Sequence, residues 1–423
     1  MANLSIPPAI SSLDSIIWPE VDVVQASNGI KIYQVHKPKT EIVLIEIVFG
    51  AGRLQESKHL SSSCTAALLT EGTALKSSQE IAEIFDYHGA SIRVKSDFDS
   101  LSIKMVCMAK YFNALKEVLQ EILLHPAIPQ EELTLLKKRR SERLKTDLRK
   151  NDLISYRKLT EALYGYQHPY GYNSDQSKYD ALEREDLVTH YKDLFTAQNC
   201  AVFVAGDIST GTAKAIQSMI NSIPSGNIIE PHIYKKRPSS LKKITCGGNP
   251  LQTSIRMGRT CFKRNHEDYH KLLFVNTVLG GYFGSRLISN IREEKGLTYG
   301  IYSMIDTHLT DGSLMISSEV ANENVFLTTN EIYKEMDHLC QHKITQKELD
   351  LVKNYICGMY VNFFDGPLNS IRAIKSLVLN GIPLSELNTL IDISRSVSSE
   401  DILNTSQQYL NRNDFWIVTV GAS

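Results

Sequence analysis

Short runs in which apolar positions dominate or alternate with polar ones mark the start and end of two long stretches of the chain. KIYQV (31–35) and EIVLIEIVFG (41–50) open the first stretch and AVFVAG (201–206) closes it; SIRMGRTCF (254–262) opens the second and FWIVTVG (415–421) closes it. Runs of this length and period predict β-strands. Longer segments with helical spacing lie between them. Strands at both ends with helices grouped between predict an α+β fold of two homologous halves, each an antiparallel sheet with helices packed on one face.

The two stretches echo each other. DLVTHYKDLFTAQNCAVFVAG (186–206) and DILNTSQQYLNRNDFWIVTVG (401–421) each run from an Asp that opens a helix to a Gly that ends a β-rich run, 215 positions apart. IPQEEL (128–133) and ITQKEL (344–349) each lead from a polar turn into a long helix, 216 positions apart. Two unrelated echoes at almost one offset imply a duplication of about 210 residues. Residues 222–248, rich in Pro, Gly, Ser and Lys, read as a linker between halves of residues 1–221 and 249–423.

Composition narrows the functional classes. The 423 residues exceed one ordinary core. A formal charge of −1, from 46 basic and 47 acidic residues, leaves no global field for nucleic acid or membrane. No Lys or Arg precedes Lys31 and no continuous apolar core stands near the start, so no secretory signal is expected. The longest apolar run, 42–49, is interrupted by Glu46 and falls far short of the ~20 residues of a membrane helix. Seven scattered cysteines without a C-x-x-C read as free thiols of a reducing compartment, and the expected location is cytoplasmic.

Residues 279–300, LGGYFGSRLISNIREEKGLTYG, place Arg292 and Tyr299 seven apart with Gly296 between them. The Arg is a fixed-charge fork suited to a peptide carbonyl or a carboxylate. The Tyr hydroxyl can donate to a developing oxyanion. From the residues alone, the plainer reading is an exposed helix end, with Arg292 paired to Glu293 or Glu294 and Tyr299 packed in a sheet. Upstream, SCTAALLTEGT (63–73) ends in Gly-Thr.

Together these stretches resemble the pitrilysin/insulinase-type zinc peptidases and the mitochondrial processing peptidases. That family is also built from two similar α+β halves, so the resemblance covers nearly the whole chain. Its zinc sits on H-x-x-E-H about nine residues before a Gly-Thr, with two His one helical turn apart and the Glu as general base. An Arg/Tyr pair in the second half reaches across to hold substrate. Counted back from Gly72, the first ligand position holds Ser63, the general-base position Ala66 and the second ligand position Ala67. The third ligand, a Glu about 77 residues further on, falls at Leu144 or Lys145. The nearest carboxylates, Glu142 and Asp147, face elsewhere on a helix, and His59 has no His partner at helical spacing. The resemblance therefore implies a chain without a catalytic zinc.

Three other patterns have plainer meanings. His266-Glu267-Asp268-Tyr269-His270 matches H-E-x-x-H letter for letter, but that motif needs a continuous helix through it. Asn265, Glu267 and Asp268 read instead as the capping turn of the helix that continues KLLFVNTVLGG, leaving His266 out of line with His270. Gly280, Gly281 and Gly284 lack the Lys-Ser/Thr of a phosphate loop and read as a helix end and turn. KKRRSERLKTDLRK (137–150) reads as a solvated helix face, with a basic wall for acidic peptides as the alternative.

Some members of the family divide the site between two chains, one with H-x-x-E-H and one with only the Arg/Tyr pair. The resemblance implies that this chain is of the second kind. It would be a non-catalytic, substrate-binding subunit that offers Arg292 and Tyr299 to a zinc held by an H-x-x-E-H-bearing partner, with no cofactor of its own and no nucleic-acid or membrane partner. The alternative is a structural or peptide-binding scaffold of the same fold with no peptidase role. A stand-alone zinc enzyme on His266 and His270 is the third reading.

Overall fold

The computed structural model describes residues 18–229, 234 and 242–421. The segment read as lacking a secretory signal, up to residue 17, and the middle of the 222–248 linker lie outside the described residues. Eleven strands among the described residues form two sheets. The first holds β1 (Asp22–Gln25), β2 (Lys31–His36), β3 (Ile42–Phe49), β4 (Ser91–Ser96), β5 (Leu101–Met108) and β6 (Cys200–Gly206), in the order β1-β2-β6-β3-β5-β4. The second holds β7 (Lys243–Gly247), β8 (Thr253–Cys261), β9 (Thr298–Thr307), β10 (Gly312–Val320) and β11 (Trp416–Gly421), in the order β7-β11-β8-β10-β9. With β1 set aside the two orders are identical, so the repeat read from the sequence is a repeat of topology.

The α+β expectation holds, with two refinements. Each sheet contains one parallel pair, β2 with β6 and β7 with β11. The closing strand of each half returns through a long helical connection, which parallel pairing requires. The second refinement is that helices cover both faces. Four helices matter here: α1 (Ser61–Leu68), α2 (Gln130–Asp147), α3 (Asn151–Tyr164) and α4 (Pro367–Leu379). Val43, Ile45, Ile47 and Phe49 of β3 face the first half's own helices, in a core with Phe85, Leu115 and Ile216. Their neighbours Leu44 and Val48 point the other way, as strand alternation demands, and join Ile371, Ile374 and Leu377 of α4 from the second half. In return α3, from the first half, packs Leu159 and Leu163 against Met315, Val418 and Val420 of the second sheet. The halves are clasped by exchange of two helices.

A charge sits at the same place under each exchanged helix. Glu46 of β3 lies opposite Phe203, and Arg256 of β8 opposite Val418. Phe203 and Val418 are separated by the repeat offset of 215. Both charges are buried, at 7% and 3% exposure, and each is paired with the visiting helix: Glu46 Oε1 accepts from Lys375 Nζ of α4 at 2.7 Å, and Arg256 Nη2 donates to Asp152 of α3. The sign is reversed between the halves.

The segment expected to be linker is partly ordered into the sheet: Lys243–Gly247 is β7, with Ile417 of β11 opposite Lys243. Its alternating, largely exposed residues are those of a short edge strand. No helix among the described residues is long and apolar enough to cross a membrane.

Candidate functional site

α1 carries the positions that resemble a zinc motif. Its start is unusual, because Leu60 precedes it at φ 74°, in the left-handed region that such side chains rarely adopt. Glu56 stabilises this start: Oε2 accepts from Leu60 N (3.1 Å) and from the Tyr172 hydroxyl, and Oε1 accepts from Ser62 N (2.9 Å). These bonds satisfy orphan amides of the first turn without a Ser or Asp cap. Ser63, Ala66 and Ala67 then share one helix face by their spacing.

Arg140 of α2 reaches that face. Its Nη1 donates to Ser63 Oγ (3.0 Å) and Cys64 Sγ (3.3 Å), and its Nη2 to Ser63 O (3.0 Å). Ala67 and Leu144 pack on one apolar cluster with Leu60, Leu68 and Leu136. Lys145 points to solvent and bonds Glu142 at 2.7 Å. Of the two candidate third-ligand positions, Leu144 is therefore the one turned toward α1. A zinc site needs three lone-pair donors. These positions present a hydroxyl, two methyls and a leucine, with a permanent guanidinium charge among them, and they do not fit the ion. No group of three or more His, Cys, Asp or Glu among the described residues is placed to hold a metal.

A cavity of about 270 Å³ opens beside Ser63. Arg53 crosses it, with its guanidinium carbon 3.9 Å from the Tyr172 ring centroid and 5.1 Å from that of Phe98. Burial pushes the Glu56 carboxyl up to about 7, against the opposing pull of Tyr172, Arg53 and the two amides. Arg53 and Glu56 belong to no motif, and no spacing links them to Tyr172, so nothing in the sequence marks them.

Arg292 and Tyr299 sit where a π-helical turn, Ile288–Glu294, passes into β9. Gly280, at the end of the preceding turn, lets it lie close on β9: a Cβ there would meet Ser303 N at 2.6 Å. Gly296 has φ 61°, and Gly296 N and Leu297 N bond back to Arg292 O and Ile291 O at 3.2 and 3.0 Å. This is the left-handed ending that glycine permits. Immediately afterwards the register with β10 shifts, so Tyr299 and Gly300 bulge opposite Glu319. Thr298 Oγ1 donates to Glu319 O (2.6 Å) and Ser318 Oγ to Gly300 O (3.0 Å), which pins the bulge. Bulges re-aim side chains, and Tyr299 is 94% exposed on the edge strand. Its hydroxyl bonds to no other described residue. Arg292 lies 5.3 Å over the Phe283 ring, and its Nε is 3.3 Å from Glu293 Oε1. The plainer sequence reading is thus half met: Arg292 pairs with Glu293, but Tyr299 is not packed in a sheet. The two side chains share one junction without bonding to each other.

The H-E-x-x-H look-alike does not converge. The helix begins at Tyr269, after His266. His266 stacks on Phe262 with ring centroids 4.1 Å apart and accepts from Asp268 N, while His270 Nε2 lies 3.0 Å from Glu386 Oε1. Asp268 stands at the expected helix start but makes no cap bond; its Oδ2 accepts from the Tyr409 hydroxyl at 2.7 Å. The basic run 137–150 follows α2 and is mostly solvated, except that Arg140 turns inward and Lys137 Nζ donates to Leu182 O at 2.8 Å.

Similarity to known proteins covers both halves. The profile described as insulinase (peptidase family M16) matches residues 31–169, and that described as peptidase M16 inactive domain matches residues 181–356. An uncharacterized zinc protease, YmxG of Bacillus subtilis, is 25% identical over 335 residues, 78% of this chain and 81% of its own length. A non-peptidase homolog, YmxG of Helicobacter pylori, is 23% identical over 382 residues, 88% of this chain and 87% of its own. The solved peptidase M16 inactive domain from Pseudomonas fluorescens superposes with a TM-score of 0.89 at 23% identity, covering 95% of this chain and 98% of that one. With ligand positions that do not fit a zinc, the chain belongs to the insulinase (M16) peptidase family as an inactive member.

Proposed function

We propose that the chain is the non-catalytic, substrate-binding subunit of a heteromeric zinc peptidase, offering Arg292 and Tyr299 to a zinc held by H-x-x-E-H in a homologous partner. The observation that carries this reading is Tyr299 at 94% exposure on a pinned bulge, one short turn from Arg292. An aromatic ring fully in water adds nothing to this chain's core, whereas a recognition group has to project. The partner's zinc would activate water for attack on the peptide bond. Arg292 would grip a substrate carbonyl and set the register, and the Tyr299 hydroxyl would donate to the oxygen that gains charge. The name of the Helicobacter pylori relative, a non-peptidase homolog, is compatible with a chain that does not cleave alone.

Isolation of the protein from its native source tests the reading. A stoichiometric companion of similar size bearing H-x-x-E-H is expected. A companion without that motif, or none, would favour a structural or peptide-binding scaffold instead.

A further inference from the structure

The first sheet has a face on which cations outnumber carboxylates among the described residues. β3, β4, β5 and α4 together contain five cations, Arg93, Lys95, Lys104, Arg372 and Lys375, and one carboxylate, Glu46. Lys104 lies directly opposite Glu46 on one side and Arg93 on the other. Like charges in facing positions destabilise a sheet. Burial, and after it Arg372, Lys375 and Arg93, hold the Lys104 ammonium below its usual range against the pull of Glu46. Lys375 already occupies Glu46, at 2.7 Å. Among the described residues no carboxylate pairs with Arg93 or Arg372, and both are exposed.

The twin half shows that the fold does not require these cations. In the second sheet the same row reads Arg256, Ser317, Tyr302. Its elements β8, β9, β10 and α3 contain four cations and four carboxylates. The surplus belongs to one half of a duplicated scaffold in a chain of net charge −1.

Arg372 also lines a cavity of about 470 Å³ with Arg264. Arg264 Nη1 donates to Ser376 Oγ at 3.1 Å, while its Nε is buried with no hydrogen-bond partner among the described residues. Asn362 and Asn369 offer side-chain amides there, Phe363, Leu377 and Leu387 form an apolar wall, and among the described residues no carboxylate lines the space. A small anion has no use for that wall, and a nucleic acid would call for more than one aromatic platform. Carboxylates beside apolar side chains on a backbone rich in amides match all three features.

We infer that this face, from β4 and β5 across α4 into the adjoining cavity, binds an acidic peptide segment that carries apolar side chains between its carboxylates. The inference rests on the reading of the chain as a peptide-handling subunit and adds the charge class of the peptide.

The test titrates the full chain into a fluorescein-labelled 12-residue peptide alternating Glu with Leu and Phe, read by anisotropy at about 50 mM salt, where exposed charges act over more than 10 Å. The comparators are the same peptide with Lys for Glu, and a single-stranded oligonucleotide of equal net charge. The acidic peptide is expected to bind at least about tenfold more tightly than either. The double variant Arg93→Ser/Arg372→Ser, two exposed positions, is expected to lose about tenfold in affinity and some of the salt dependence, while Lys145→Ser on α2 changes neither. Equal binding of the Lys peptide, equal or tighter binding of the oligonucleotide, or undiminished affinity in a double variant that melts like the parent would overturn the inference. No partner subunit is present in the titration, so its failure leaves the role of Arg292 and Tyr299 to be judged separately by hydrolysis.

Discussion

Arg140 shows how the site was remade at the scale of single residues. Where the zinc peptidases place two histidines, a guanidinium bonds the backbone and hydroxyl of Ser63. Restoring the motif alone, as S63H/A66E/A67H, is therefore expected to leave a protein without stoichiometric zinc after dialysis. Arg140 would still repel the ion and Leu144 would still supply no third ligand; adding L144E and R140A is expected to raise zinc retention. Stoichiometric zinc in the triple variant would sink this explanation. Two other buried groups titrate against each other. Burial pushes Glu56 up to about 7 from its ordinary 4.5, and burial drops His190 to about 4 from 6.5. Glu56 stays protonated in the fold where the unfolded chain ionises, so its stabilisation is complete below pH 4.5 and is lost as pH rises through about 7. His190 stays neutral where the unfolded chain protonates, so its stabilisation is complete above pH 6.5 and is lost as pH falls through about 4. Each slope amounts to as much as about 3 kcal/mol. Urea melts of E56Q should show stability rising with pH between 5 and 7, and those of H190Q a tilt the other way; parallel slopes in the two variants would contradict the assignment. The absent ligands and the Arg/Tyr pair were legible as residues at fixed spacings. Arg140, Arg53 and Glu56 were not, because Arg140 meets Ser63, Arg53 meets Phe98 and Tyr172, and Glu56 meets Tyr172 only through the fold, and the nearby amides that Glu56 accepts from leave no mark in a sequence.

At the scale of elements, the exchange of α3 and α4 is the main thing that periodicity concealed. An apolar helix face has the same pattern whether it meets its own sheet or the other one, so the sequence predicts helices on one face only. The traces were polar. Glu46 interrupts an otherwise apolar strand because Lys375 of the visiting helix meets it. The strands and their repeat were legible because alternation and offset are local or self-comparing signals. β7 is hard to read as a strand because its five residues are few, largely exposed and set in a Pro-, Gly- and Ser-rich stretch. Lys375→Met is expected to cost about 2 kcal/mol in urea melts. That is less than the ~3–5 kcal/mol of a stranded buried charge, because Lys104 still faces Glu46 across the β3–β5 pair. A midpoint equal to that of the parent would show that the pair is not holding α4 in place.

At the scale of the whole molecule, each sheet depends on a helix from the other half for one of its faces. The two halves are therefore expected to unfold in one calorimetric transition, and a chain cut to residues 1–229 should not fold alone, since it lacks α4 over Val35, Leu44 and Phe203. Two separated transitions would show the clasp to be weak. The same clasp fixes the second half, and with it the junction that presents Arg292 and Tyr299 outward. The measurement that bears most directly on function is peptide hydrolysis by this chain recombined with the H-x-x-E-H-bearing companion that the proposal requires. Arg292→Ala alters a half-buried side chain outside the core and Tyr299→Phe an exposed one, so the melting temperature should stay close to that of the parent. A donor that acts on the transition state should lower kcat by about 10²–10³-fold when removed. Undiminished hydrolysis with both variants, or chelator-sensitive cleavage by this chain on its own, would contradict the proposal.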